Sequence, residues 1–242
     1  MTSPDPVLLD VQGRIARLTL NRPDKLNAVD SGMRTGLTRH LCALEEDRGV
    51  QVIVLAGAGR SFCAGNDLRQ PGSPDAEYYE LYDALRRSTK AIIVRIQGHC
   101  AGAGLQMALL ADLRIAAASA KIGMVEFNVG YPVLIGSALL EAVCGEAAMK
   151  RLVLLGDFVS GPEAVRLNLA TEVVEDVALD ARVAEIAEGL AGRAEAAIRL
   201  TRQCWSHFSE QRFEAIMTYA RALREREPGA RTPVLPERLK RA

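Results

Sequence analysis

The spacing of apolar positions changes repeatedly along the chain, and each change predicts a different element. Val7–Val11 and Ile15–Leu20 alternate or run apolar around Gly13, the pattern of a hairpin. Asn21 to Asp30 is broken by Pro23 and two asparagines and reads as a loop. Asp30 or Ser31 can cap a helix running to about Glu46. Val52–Ala56 is a short, wholly apolar run suited to a buried strand, and a glycine-rich loop from Gly57 to Asn66 follows it. Asp75 to Thr89 has the pattern of a charged amphipathic helix, and Ala91–Ile96 of a second buried strand. Gly98 to Gly104 is a small-residue turn entering an apolar helix that ends near Ala111, and Leu113–Ala117 is a further strand. Alternation of this kind predicts an α/β fold, a sheet wound by crossover helices.

From Ser137 onward the pattern becomes helical almost throughout. Segments 137–144, 146–155, 161–168, 177–191, 193–208 and 210–226 fit, punctuated by Gly145, Gly156, Gly161, Pro162 and Gly192. The tail from Pro228 to Ala242 holds three prolines and several cations and reads as irregular. There is no internal repeat and no low-complexity linker. The expected division is a catalytic core over residues 1–190 and a C-terminal helical region over 191–242 that packs on a neighbouring subunit.

The chain has 242 residues, 49% of them apolar, enough for one large core. Lys+Arg and Asp+Glu balance at 30 each. A protein that coats nucleic acid usually carries a basic excess, so no nucleic-acid partner is expected. Cys42, Cys63, Cys100, Cys144 and Cys204 are odd in number and lack metal-knuckle or redox spacing, and His40, His99 and His207 are scattered. They predict reduced thiols, a cytoplasmic location and no metal site. The first residues, Met-Thr-Ser-Pro-Asp-Pro, lack the pattern of a signal peptide. Ile122 to Leu140, the longest weakly polar stretch, contains Glu126, Asn128, Pro132 and three glycines and makes a poor membrane span.

Candidate chemistry lies at the two glycine loops and at two polar residues. Gly57 to Asn66 and Gly98 to Gly104 each follow a predicted strand, and the second opens a helix. Small residues there let backbone N–H groups approach a ligand, and a helix N-terminus adds positive potential. Two N–H donors from two loops would form an oxyanion hole; ordinary strand-to-helix turns would look the same. Neither loop has P-loop spacing, and the second lacks G-x-G-x-x-G. Glu126 is the only charged residue between Lys121 and Glu141. It is either a buried acid/base with a raised pKa or a partly exposed loop residue. Gln106 sits about one turn past Ala103 in an apolar helix and needs a partner if buried.

Taken in order, four segments resemble the enoyl-CoA hydratase/isomerase (crotonase) family. They are Asn21-Arg22-Pro23-Asp24-Lys25-Leu26-Asn27-Ala28, Gly59 to Leu68, Gly98 to Asp112, and Gly123-Met124-Val125-Glu126-Phe127-Asn128-Val129-Gly130. The resemblance implies a fold of stacked β-β-α turns with a C-terminal helical region, assembled as a homotrimer or a dimer of trimers, acting on an acyl-coenzyme A thioester with no further cofactor. It puts the oxyanion-hole N–H groups on Asn66 and Ala103 and the acid/base on Glu126. It places the Ala64 backbone near the adenine of coenzyme A and Arg60 and Arg69 towards its phosphates, with Leu68 and Lys25 in the same neighbourhood.

The departures bear on the reaction. Hydratases of the family typically use two glutamates, and the second falls here on Gln106, which does not transfer protons in ordinary catalysis. A double-bond isomerisation needs one carboxylate, so the reading leans to isomerisation. A hydratase with Gln106 positioning water, another enolate reaction such as decarboxylation or hydrolysis, and a non-catalytic acyl-CoA- or RNA-binding protein are the alternatives. The stretch after the glutamate loop, Gly130 to Gly136, is altered, and so is the closing segment Glu225 to Arg231.

Overall fold

A computed structural model describes residues 5–69 and 75–227. Its main sheet has six strands: β1 (Val7–Gln12), β2 (Ile15–Leu20), β3 (Val52–Gly57), β4 (Ala91–Ile96), β6 (Leu113–Ala117) and β9 (Glu172–Val174), side by side in that order. The β1–β2 hairpin is antiparallel, and every other neighbour is parallel. A second sheet orders β5 (His99–Ala101), β7 (Lys121–Gly123) and β8 (Val159–Ser160). Every residue of β3 is buried and all but Arg95 of β4, so neither strand alternates; both lie between covered faces.

The helices are α1 (Ser31–Glu46), α2 (Asp75–Arg87), α3 (Ala103–Leu109), α4 (Ile135–Leu155), α5 (Gly161–Arg166), α6 (Leu179–Ala191) and α7 (Glu195–Arg226). Asp30 caps α1 by accepting from the Met33 N–H at 2.8 Å. Helix α6 packs across β2, β3, β4 and β6, and α1 packs on β1, β2 and α2. Among the described residues no helix is long and apolar enough to cross a membrane.

The C-terminal half differs from the expectation of nearly continuous helix. Strands β8 and β9 interrupt it, with Val159 paired to Ile122 and Glu172 to Ile115. Elements of two and three residues carry no readable period, and only their partners define them. The expected break near residue 209 is also absent. Helix α7 runs unbroken for 32 residues because no glycine or proline lies within it, and Phe213, Met217 and Ala220 bury one stripe. The break at Gly145 is real: its φ of 79° and ψ of 165° kink α4. Helix α7 leans on α2, α4 and β4 of its own chain. The tail from Pro228 lies outside the described residues.

Candidate active site

The two glycine loops are zipped together. The Cys63 N–H donates to His99 O at 2.9 Å, and the Ala101 N–H donates back to Cys63 O at 2.9 Å, a parallel bridge between Cys63 and Cys100. The closeness demands glycine. A Cβ on Gly104 would stand 2.7 Å from Cys63 Cβ and 2.8 Å from its carbonyl oxygen. A Cβ on Gly65 would meet Ala101 O at 3.3 Å. Asn66 thus follows a residue packed against Ala101 and Gly102, and Gly102 leads directly into Ala103. Among the described residues neither the Asn66 N–H nor the Ala103 N–H has an acceptor, and Ala103 is the first residue of α3.

The outer wall of the first loop is built by the Asn21–Ala28 segment. Asn27 is wholly buried, with φ at +56°. Its amide donates to Ala58 O at 2.9 Å and Ser61 O at 2.8 Å, and its Oδ1 accepts from the Arg22 N–H. Arg22 reaches back to donate to Ala28 O and Asp67 Oδ2, and pairs with Asp30. Burial pushes the Asp67 carboxyl upward, but the Arg22 hydrogen bond, the Arg69 N–H and the charges of Arg22 and Lys25 hold it below the usual carboxylate range. The Ala64 N–H donates to Leu26 O, and the Val29 N–H to Gly65 O, so the stretch through Asn66 is pinned on both sides.

Glu126 arrives from elsewhere. It opens a single 3-10 turn, Glu126–Val129, between β7 and α4. Gly102, at φ +50°, lets the carboxylate lie against the start of α3: a Cβ there would be 3.2 Å from Glu126 Oε1 and 3.3 Å from its carboxyl carbon. Oε1 accepts from Gln106 Nε2 at 3.1 Å, while Oε2 is buried with no hydrogen-bond partner among the described residues. Burial pushes the Glu126 carboxyl up to about 7; nearby backbone N–H groups of Glu126 and Val125 and the Gln106 amide pull it partly back. A carboxyl poised near neutrality can take and return a proton.

The expected residues divide into groups. Glu126 and Gln106 are in contact, the Glu126 carboxylate lies against Gly102, the residue before Ala103, and Asn66 follows Gly65, which packs against Ala101 and Gly102. Lys25, Asp67, Leu68 and Arg69 lie on the outer side of the first loop, where Lys25 and Arg69 are exposed. Arg60 is exposed at the loop's other end, near His99 and Lys121. Burial pushes the Cys63 thiol up to about 12, which leaves it inert beside the site. Among the described residues no group of three or more His, Cys, Asp or Glu side chains is placed to hold a metal ion.

Two residues on α2 were missed by sequence reasoning. The Tyr78 hydroxyl donates to Asn66 Oδ1 at 2.7 Å, and the Tyr82 hydroxyl donates to Gln106 Oε1 at 3.1 Å. Their i, i+4 spacing puts both on one helix face, a signal masked by the charges around them.

The comparisons with known proteins agree with one another. A model of the enoyl-CoA hydratase/isomerase family matches residues 10–226. An (E)-benzylidenesuccinyl-CoA hydratase of Thauera aromatica is 34% identical over 209 residues, 82% of this chain and 81% of the relative. A 1,2-epoxyphenylacetyl-CoA isomerase of Escherichia coli is 34% identical over 210 residues, 81% of this chain and 80% of the relative. Among solved structures, an enoyl-CoA hydratase/carnithine racemase from Magnetospirillum magneticum superposes with a TM-score of 0.82 at 31% identity, covering 86% of this chain and 83% of that one.

Proposed function

The chain belongs to the enoyl-CoA hydratase/isomerase family, whose members here are named hydratases and isomerases of acyl-CoA thioesters, and on that premise we propose that it moves a double bond in an enoyl-CoA. In the proposed reaction the thioester carbonyl of a 3-enoyl-CoA accepts from the N–H groups of Asn66 and Ala103. Ionised Glu126 takes a proton from C2 on Oε2, and the negative charge passes to the carbonyl oxygen as a dienolate held by the two N–H groups. The same carboxyl returns the proton to C4, so the C3–C4 double bond becomes C2–C3 and nothing is added or lost. Coenzyme A is part of the substrate, and no further cofactor enters the scheme.

The observation that supports isomerisation over hydration is the state of Gln106. Its amide nitrogen is given to Glu126 and its oxygen to Tyr82, and the nitrogen's remaining side faces Met124 sulfur. Hydration needs one group to activate water and another to deliver a proton, and an amide committed in this way does neither. The rival reading, hydration, is favoured by the name of the Thauera relative.

The same proposal extends to the rest of the substrate and to assembly. Ala64, Leu68, Lys25, Arg60 and Arg69 receive the coenzyme A portion, a reading supported by the exposure of the three cations on the first glycine loop and the Asn21–Ala28 segment bonded to it. The region beyond residue 190 contributes to a trimer or dimer of trimers, supported by exposed Trp205, Phe208 and Tyr219 on α7. Five free cysteines support a reducing, cytoplasmic setting. The test is turnover of a 3-enoyl-CoA followed by absorbance and product mass. A conjugated product of unchanged mass is expected, and a product heavier by one water overturns the proposal.

A further inference from the structure

The polar contacts of Gln106 continue past the carboxylate to Tyr82, which stands on α2 with its side chain enclosed. A hydroxyl sealed in a core must find a partner, and among the described residues Gln106 is the one it has. A side-chain amide can be turned over, exchanging its oxygen for its nitrogen. One orientation sets N–H against the Glu126 carboxylate; the other sets a carbonyl oxygen there, which an ionised carboxylate repels. A phenolic hydroxyl can donate or accept; here it donates to the amide oxygen and so completes the orientation whose N–H faces the ionised carboxylate.

We propose that Tyr82 is a positioning residue of this site: its hydroxyl holds the Gln106 amide with N–H against Oε1 of Glu126, leaving Oε2 as the oxygen that carries the proton. The inference rests on Glu126 acting as the base. It also gives a reason for the asymmetry of the carboxyl, whose Oε1 is bonded and whose Oε2 is not. The titratable groups at this end of the site, besides Glu126, lie on three elements. From α2 they are Tyr78 and Tyr82, from the first glycine loop Cys63, and from α7 Arg224, whose charge reaches Tyr82. Helix α3 and the first turns of α4, Ile135 to Leu140, carry no charged residue. Burial holds the Tyr82 hydroxyl well above its ordinary range, with the charges of Tyr78 and Glu126 adding to the effect, so it stays a donor throughout the working pH range.

The test is the titration of Glu126 in the free protein, followed by its carboxyl infrared bands with Glu126→Gln as the blank. The set compares the parent, Tyr82→Phe, Gln106→Met and the double variant. Tyr82→Phe should move the titration upward by about one pH unit, the size expected from weakening one hydrogen bond to a charge. In the Gln106→Met background the same change should do nothing further. An unmoved titration, or an equal shift in both backgrounds, overturns the proposal, because a merely structural tyrosine would act without the amide. Should Tyr82→Phe not fold, the nitrogen-15 resonance of the Gln106 side chain in the parent must follow the Glu126 titration; independence from it overturns the proposal. No substrate is involved, so expected titrations with no isomerisation would sink the reaction proposed above and leave the positioning role standing.

Discussion

Glu126→Gln should make the protein inactive and, above neutral pH, more stable relative to the parent than it is in acid. The magnitude follows from the burial of the carboxyl, whose folded-state value is about 7 against an ordinary 4.5. In the unfolded chain the group ionises near the ordinary value; in the folded protein it keeps its proton until about 7. Raising pH through that interval therefore favours the unfolded state, and the stability present in acid is lost by neutrality. Each unit of displacement corresponds to ~1.4 kcal/mol, so the parent should lose about 2 to 3 kcal/mol from this group between pH ~5 and ~8. A glutamine is neutral throughout and loses none of it. The assay is urea unfolding of both proteins at the two pH values. Comparing the change in stability, rather than stability itself, removes contributions from all other titrating groups and from any imperfect fit of the amide. A pH dependence equal in parent and variant would show that Glu126 is hydrated and ordinary, and the acid/base argument would fail with it.

Three further outcomes follow from the same geometry. The rate at low substrate should rise with pH along a limb centred near 7, because the base must be ionised to act; a limb near the ordinary carboxylate value would contradict the site as described. Gly102→Ala should cost on the order of 1–3 kcal/mol in thermal or urea unfolding and abolish turnover, since a Cβ at φ +50° would stand 3.2 Å from the carboxylate; a stable, active variant would mean that the two are not in contact. Gln106→Glu would put a second carboxyl where an amide now stands 3.1 Å from the first. At that separation like charges repel by ~5 kcal/mol at an effective dielectric of ~20, so the pair should share a proton at neutral pH and gain hydration of 2-enoyl-CoA, read by product mass. A variant that gains no hydration would show that Gln106 does not set the reaction.

Much of this arrangement is visible in the sequence wherever a local rule is strong. The hairpin around Gly13, the Asp30 cap and the apolar runs of β3 and β4 all follow from the residues themselves. Glu126 stands out because it is a lone charge in an apolar stretch. What the sequence hides is set by distant partners. Strands β8 and β9 exist through pairing with β7 and β6. Tyr78 and Tyr82 read as ordinary residues of a charged helix, and only the fold aims their hydroxyls at Asn66 and Gln106. Asn27 was legible as part of a motif but not as the residue that ties Ala58 and Ser61 together.

The central claim, that one shielded carboxyl moves one proton from C2 to C4, is tested most directly with a 3-enoyl-CoA carrying deuterium at C2. Because Oε2 is buried and unpartnered among the described residues, the transferred deuteron should outlast a share of turnovers and appear at C4 of the 2-enoyl product. Mass and proton spectra of product formed in ordinary water would show label at C4, and Glu126→Gln would yield no product. Product bearing a solvent-derived oxygen at C3, or product whose C4 label is wholly absent, would contradict the account.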